Sequence, residues 1–227
     1  KNLDVLYNLS KFILDLRLQT KADNKQNIEE KYILSRKNST IEKITELMEK
    51  YQIDEIVKEI ENLFLDLSRI YIKLTREKVN SKEAGKVLAA AEEVYKDILK
   101  VFSIVCPFIT EELYKKTFLE EESVHLSSWP KTDKKNIDKN LEKRFELILK
   151  TIEIGFAERD KIQIGLKWPL AKANIIGIES NFKKEEEEII RNQLNVKKIE
   201  FKSGKEIAVE FDTKSTPELE AEGYARE

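Results

Sequence analysis

A chain of 227 residues has room for one large domain or two small ones, and 41% hydrophobic residues suffice for a packed core. Charged residues reach 37% while glycines number six and prolines four, a balance that reads as mostly helical with charge-covered surfaces. The net charge of −2 excludes a globally basic nucleic-acid binder but leaves room for a local basic patch, and the single cysteine, Cys106, excludes an internal disulfide.

Helical periodicity begins at once. Residues 2–19 predict a first amphipathic helix and residues 20–26 a polar loop. A second helix is expected from Asn27 to Tyr51, with Asn27 as N-cap and Glu29 and Glu30 in the first turn, where the dipole favours acids. Its buried stripe would be Leu34, Ile41, Ile44, Met48 and Tyr51. Almost no linker follows, so the next helix, Ile53 to Val79, should pack antiparallel to it. That helix carries apolar residues at helical spacing through Ile70, Tyr71 and Leu74, and places Asn62, Asp66, Arg69, Lys73 and Arg76 on its reverse face. A fourth helix is expected over 82–105, ended or kinked by Pro107. A short helix opens at Thr110, residues 119–136 read as a loop across the bundle surface, and a further helix runs from Ile137 to Gln163.

Composition changes near residue 164. IGLKWPL is a turn-like connector, AKANIIGI a strand, Lys183 to Leu194 a helix with an acidic start, and VKKIEFK and EIAVEF two strands joined at Ser203-Gly204 as a hairpin. The fold class expected is mainly α, an antiparallel helical bundle (residues 1–163) followed by a small α+β domain (residues 164–227). Lys1 as the first residue, with both ends inside helical patterns, predicts a piece excised from a longer polypeptide.

Chemistry is sparse. There is no Gly-rich phosphate loop and no GxGxxG. One histidine, His125, and one cysteine cannot build a zinc site of the usual ligand types. Cys106 sits in an apolar run and reads as a buried thiol, and His125 as a polar loop contact. Acidic pairs such as Glu111–Glu112 and Glu120–Glu122 read as solvated faces or helix starts. No apolar run approaches the length of a membrane span and no signal peptide opens the chain. The remaining signals are cationic: Arg69, Lys73 and Arg76, followed by Lys78, Lys82 and Lys86, and a second group of Lys131, Lys134, Lys135, Lys139, Lys143 and Arg144. A helix ridge can space cations along a phosphate backbone; an ordinary charged surface paired with neighbouring Glu is the plainer reading of the same residues.

Several stretches, in order, resemble the end of an isoleucyl-tRNA synthetase, a class I aminoacyl-tRNA synthetase. KYILSRKNSTI (31–41) resembles the family's Trp-Ile-Leu-Ser-Arg-x-Asn-Ser stretch at the start of the anticodon-binding bundle, and LDLSRIYIKLTRE (65–77) its Asp-x-Leu-Ser-Arg-x-Tyr segment. CPFITEELY (106–114) resembles a helix shared by the valine, leucine and isoleucine enzymes, and ESVHLSSWP (122–130) a stretch of the isoleucine branch. IGLKWPL (164–170) and TPELEAEGYARE (216–227) resemble downstream elements, the latter of archaeal and eukaryotic type. Tyr32 and Ile70 stand where the family has Trp, and Gly165 where it often has Lys.

The resemblance implies a cytoplasmic, monomeric protein whose partners are tRNA(Ile) and a catalytic domain of the same polypeptide, with no membrane. The full enzyme would use ATP and magnesium; this piece would need no cofactor and would hold the anticodon arm. The tRNA-binding residues implied are Arg36, Asn38, Arg69, Lys73, Arg76, Lys167 and Trp168. Trp168 is a candidate stacking platform, or equally a core Trp sealing bundle against small domain; Arg36 and Arg69 could instead pair with acids inside the bundle. Two rival readings are the equivalent region of a valyl-tRNA synthetase and a helical scaffold that binds only proteins.

Overall fold

The computed structural model describes residues 2–119, 122–178, 182–214 and 216–225. Glu120, of the expected acidic pair with Glu122, and the final Arg226 and Glu227 lie outside the described residues. The chain forms two compact units, Lys1–Lys139 and Asn140–Glu227.

The first unit is a helical bundle of α1 (Asn2–Gln19), α2 (Ile28–Glu49), α3 (Ile53–Leu65), α4 (Ala84–Phe102) and α5 (Pro107–Thr117). α2 packs on both α3 and α4, while α1 packs on α4 and α5. Asn27 starts α2 in a capping box, its N–H donating to Glu30 Oε2 at 2.8 Å. Pro107, expected to end or kink the fourth helix, instead opens α5, where its missing N–H costs nothing. Leu34, Ile41 and Ile44 of the expected α2 stripe are buried. Tyr51 is not. It sits beyond the helix at φ 56° with its side chain 86% exposed, because the tight turn into α3 forces a left-handed residue there.

The expected single helix from 53 to 79 is interrupted. After α3 the chain makes a π-helical turn, Asp66–Tyr71, then two short helical stretches, Ile72–Leu74 and Arg76–Val79, separated at Thr75. The wider π turn slows the rotation of the side chains. Burial therefore falls at Leu67, Tyr71 and Thr75, every fourth residue, and the expected core residues Ile70 and Leu74 are only half-buried.

Residues 129–138 form a strap antiparallel to α2. Trp129 Nε1 donates to Thr45 Oγ1 (3.0 Å), Lys134 pairs with Glu42 (3.2 Å), and the Asp133 and Asp138 N–H groups donate to Asn38 Oδ1 (3.0 Å) and Ser35 Oγ (2.8 Å). Residues 129–136 of the expected surface loop are thus held along α2.

The second unit contains α6 (Lys139–Lys161, counted by its packing with this unit from Asn140 on), β1 (Leu170–Ile176), α7 (Lys184–Leu194), β2 (Val196–Lys202), β3 (Ala208–Phe211) and α8 (Pro217–Ala225). The division by packing thus precedes α6, whereas composition shifts only after it. β2 and β3 do not form the expected hairpin. The sheet order is β2-β1-β3, with β1 parallel to β2 and antiparallel to β3. β1 takes the centre because it is the strand with two fully buried positions, Ala173 and Ile175, and α7 is the crossover that lets β2 run parallel to it. The β2–β3 connection then passes over the end of β1. It does so against Gly177 (φ 79°), where a Cβ would collide with the Glu206 carbonyl.

Candidate functional site

The Asp66–Lys86 stretch carries six cations and three acids. Its inward side chains are tied to the first half of α2. Arg36 donates twice to Asp66 Oδ2, from Nε at 3.1 Å and Nη2 at 2.9 Å. The Tyr71 hydroxyl donates to Glu30 Oε1 at 3.0 Å, and Lys78 Nζ reaches Glu29 Oε2 at 2.9 Å. Thr75, fully buried, returns its hydroxyl to the Tyr71 carbonyl at 2.8 Å. Burial first, and the neighbouring Glu30 carboxylate second, push the Tyr71 phenol well above its ordinary range. With these anchors on the inside, Arg69, Lys73, Arg76 and Lys82 lie exposed, with one exposed acid, Glu77, among them. Asp66 and Glu83 are engaged by Arg36 and by Lys86. Among the described residues, neither Arg69 nor Arg76 has an ion-pair partner. The geometry offers a cationic ridge on a segment whose backbone is held from behind, the arrangement that backbone phosphates require.

Two of the expected contacts are put to other use. Asn38 is 1% exposed; its amide donates to Leu34 O at 2.8 Å and its Oδ1 receives the strap. The Asn38 side chain thus ties the strap to α2. Arg36 is half-buried on Asp66, and its fork fixes the start of the π turn. Its neighbour Lys37, absent from the expectations, is buried between Glu93 (2.7 Å) and Asp97 (3.1 Å) of α4. Burial alone would lower the Lys37 pKa, but the two carboxylates raise it above its ordinary value.

In the second unit, the connector places Lys167 outside, its ammonium 5.0 Å from the Trp168 ring centroid. The Trp168 ring also meets Tyr224 edge-on at 5.1 Å and leaves no room for a Cβ at Gly223. Trp168 is half-buried, with Lys167 and α8 both against its ring. Beneath lies a residue that the sequence reading missed. Arg159 is 3% exposed, and among the described residues no carboxylate partners it. Nε donates to Leu194 O (3.0 Å), Nη1 to Gly165 O (3.2 Å) and Trp168 O (3.0 Å), and Nη2 to Asn195 O (3.1 Å). Burial lowers its pKa to about 10. The signal was its place seven residues after Ile152 and four after Gly155, on the buried stripe of α6.

The second cationic group is divided by the fold. Lys131, Lys134 and Lys135 ride on the strap, whereas Arg144 pairs at 2.6 Å with the fully buried Glu186 of α7. His125 is exposed in a short helical turn, and Cys106 is half-buried rather than buried. Among the described residues no helix is long and apolar enough to cross a membrane, and no group of His, Cys, Asp and Glu could hold a metal ion.

Comparison with known proteins finds a match to the family described as "Anticodon-binding domain of tRNA ligase" over residues 30–175. The chain is 35% identical over 182 residues to an isoleucine–tRNA ligase of Pyrococcus horikoshii, covering 75% of this chain and 17% of that protein. It is 29% identical to that of Clostridium tetani (88% and 20%) and 28% identical to that of Picrophilus torridus (95% and 22%). It therefore spans about a fifth of the length of the relatives it matches.

Proposed function

This chain belongs to the family of anticodon-binding domains of tRNA ligases, and on that premise we propose that it grips the anticodon arm of tRNA(Ile) and orients it for ATP-dependent isoleucylation by a catalytic domain of the same polypeptide. It acts as a monomer in the cytoplasm. The isoleucine–tRNA ligases among its relatives support the choice of amino acid, as does the resemblance of ESVHLSSWP (122–130) to the isoleucine branch. Exposed apolar side chains at the α4–α5 corner, Ile104, Val105 and Phe108, suit a protein neighbour such as that catalytic domain.

The carrying observation is the exposure of Arg69, Lys73 and Arg76 on a segment anchored from its other side. Each meets a phosphate of the arm; Lys167 meets another. Lys73→Glu with Arg76→Glu is expected to weaken tRNA binding by more than about tenfold at moderate salt. It should also lower the slope of log affinity against log salt by roughly 1.4–1.8, two phosphates' worth. Filter binding over a salt series measures both. Unchanged affinity and slope would remove the ridge from the interface.

A further inference from the structure

Arg159 and Asn195 divide four consecutive carbonyls between them. Arg159 Nη1 takes those of Gly165 and Trp168, while Asn195 Nδ2 takes those of Leu166 (2.8 Å) and Lys167 (3.4 Å). The Trp168 N–H closes the same turn on Gly165 O at 3.1 Å. Asn195 is itself held left-handed (φ 49°) at the end of α7, and its carbonyl receives Arg159 Nη2 and the Leu170 N–H. The Arg159 guanidinium also lies 5.3 Å from the Phe211 ring centroid. An apolar residue in this position would leave these carbonyls without the guanidinium donors, so Arg159 has a part in holding the turn together. What the guanidinium supplies in addition is direction. Its planar fork meets two connector carbonyls from one nitrogen and the α7 end from the others, which fixes the turn's orientation where a point charge would not.

We propose that Arg159, seconded by Asn195, is the positioning residue for an RNA phosphate contact at Lys167: between them they draw the carbonyls of Gly165–Trp168 inward and so fix the backbone from which the exposed Lys167 side chain leaves beside the Trp168 ring. This rests on the reading above that Lys167 meets a phosphate.

The test is a double-mutant cycle in the 227-residue chain, titrated with tRNA(Ile) over a salt series. Lys167→Met removes the contact. Arg159→Lys keeps a positive charge but loses the fork. Asn195→Gly keeps the left-handed backbone, which glycine adopts freely, and deletes only the amide. Arg159→Lys is expected to weaken binding about tenfold when Lys167 is present and by less than about twofold in the Lys167→Met background. It should lower the salt slope by the same ~0.7–0.9 as Lys167→Met, one phosphate's worth. Asn195→Gly follows the same pattern at a smaller factor, and it carries the test should Arg159→Lys fail to fold. Equal losses with and without Lys167, or an unchanged salt slope in both positioning variants, would reduce Arg159 to a structural residue. If Lys167→Met itself leaves affinity and slope unchanged, the phosphate contact falls, and the positioning role with it.

Discussion

Tyr71 and Glu30 meet where the π turn crosses the start of α2, both fully buried. Removing the hydroxyl takes a partner from a buried carboxylate, so Tyr71→Phe should cost about 1–3 kcal/mol in urea unfolding. The pH dependence has a definite sign. The folded phenol ionises well above 10 and the unfolded one near 10, so the contribution is complete below pH 10 and is lost as the pH rises past it. Tyr71→Phe should therefore flatten the alkaline loss of stability by roughly 1.4 kcal/mol per pH unit. Tyr95, whose buried hydroxyl donates to Leu6 O, keeps its own share. At this scale the sequence is ambiguous by nature. Arg69 and Arg36 are equally polar on paper, and only the packing of the π turn on α2 decides that Asp66 takes Arg36. Asn38 belongs to a motif, yet the motif's reason is a strap that lies 95 residues further along. Trp168 owes its covered ring to α8, a neighbour that no local pattern announces.

Helices were the legible elements, because a stripe recurring at 3.6 residues reports a buried face wherever its partners come from. Two departures at this scale have different causes, one local and one topological. A π turn leaves no mark in composition, so LDLSRIYIKL reads as ordinary helix although its inward positions step by four. VKKIEFK and EIAVEF alternate as hairpin strands do, but alternation identifies strands and not their order; β1 was free to enter between them. That order imposes a close crossing at Gly177. Gly177→Ala should cost at least about 2 kcal/mol in chemical denaturation, through the collision with Glu206 O and the positive φ together. Gly165→Ala is the control. Open space surrounds its would-be Cβ, and the same measurement should find a change within about 0.5 kcal/mol.

Along the first unit the surface changes character from end to end. The antiparallel α2–α3 pair is marked by Lys43–Glu59, Arg36–Asp66 and Tyr71–Glu30 in succession. The cations follow beyond Asp66, while at the opposite end the α2–α3 turn exposes Tyr51, Ile53 and Val57. A chain with 41 basic and 43 acidic residues creates no general pull on polyanions, so the proposed grip on tRNA depends on a placed ridge. Unstructured RNA of tRNA length should therefore compete at least about tenfold less well than tRNA(Ile) near physiological salt. Equal competition in a displacement titration would mean that charge alone binds. The π turn adds a constraint of a different kind. Residue exchanges on the ridge change its charge but leave its bearing alone, whereas losing one amino acid between Asp66 and Tyr71 would swing Lys73 and Arg76 by about 100° around the axis and pull Thr75 and Lys78 off their anchors. Descendants of this chain can drift in composition here far more readily than they can tolerate an indel.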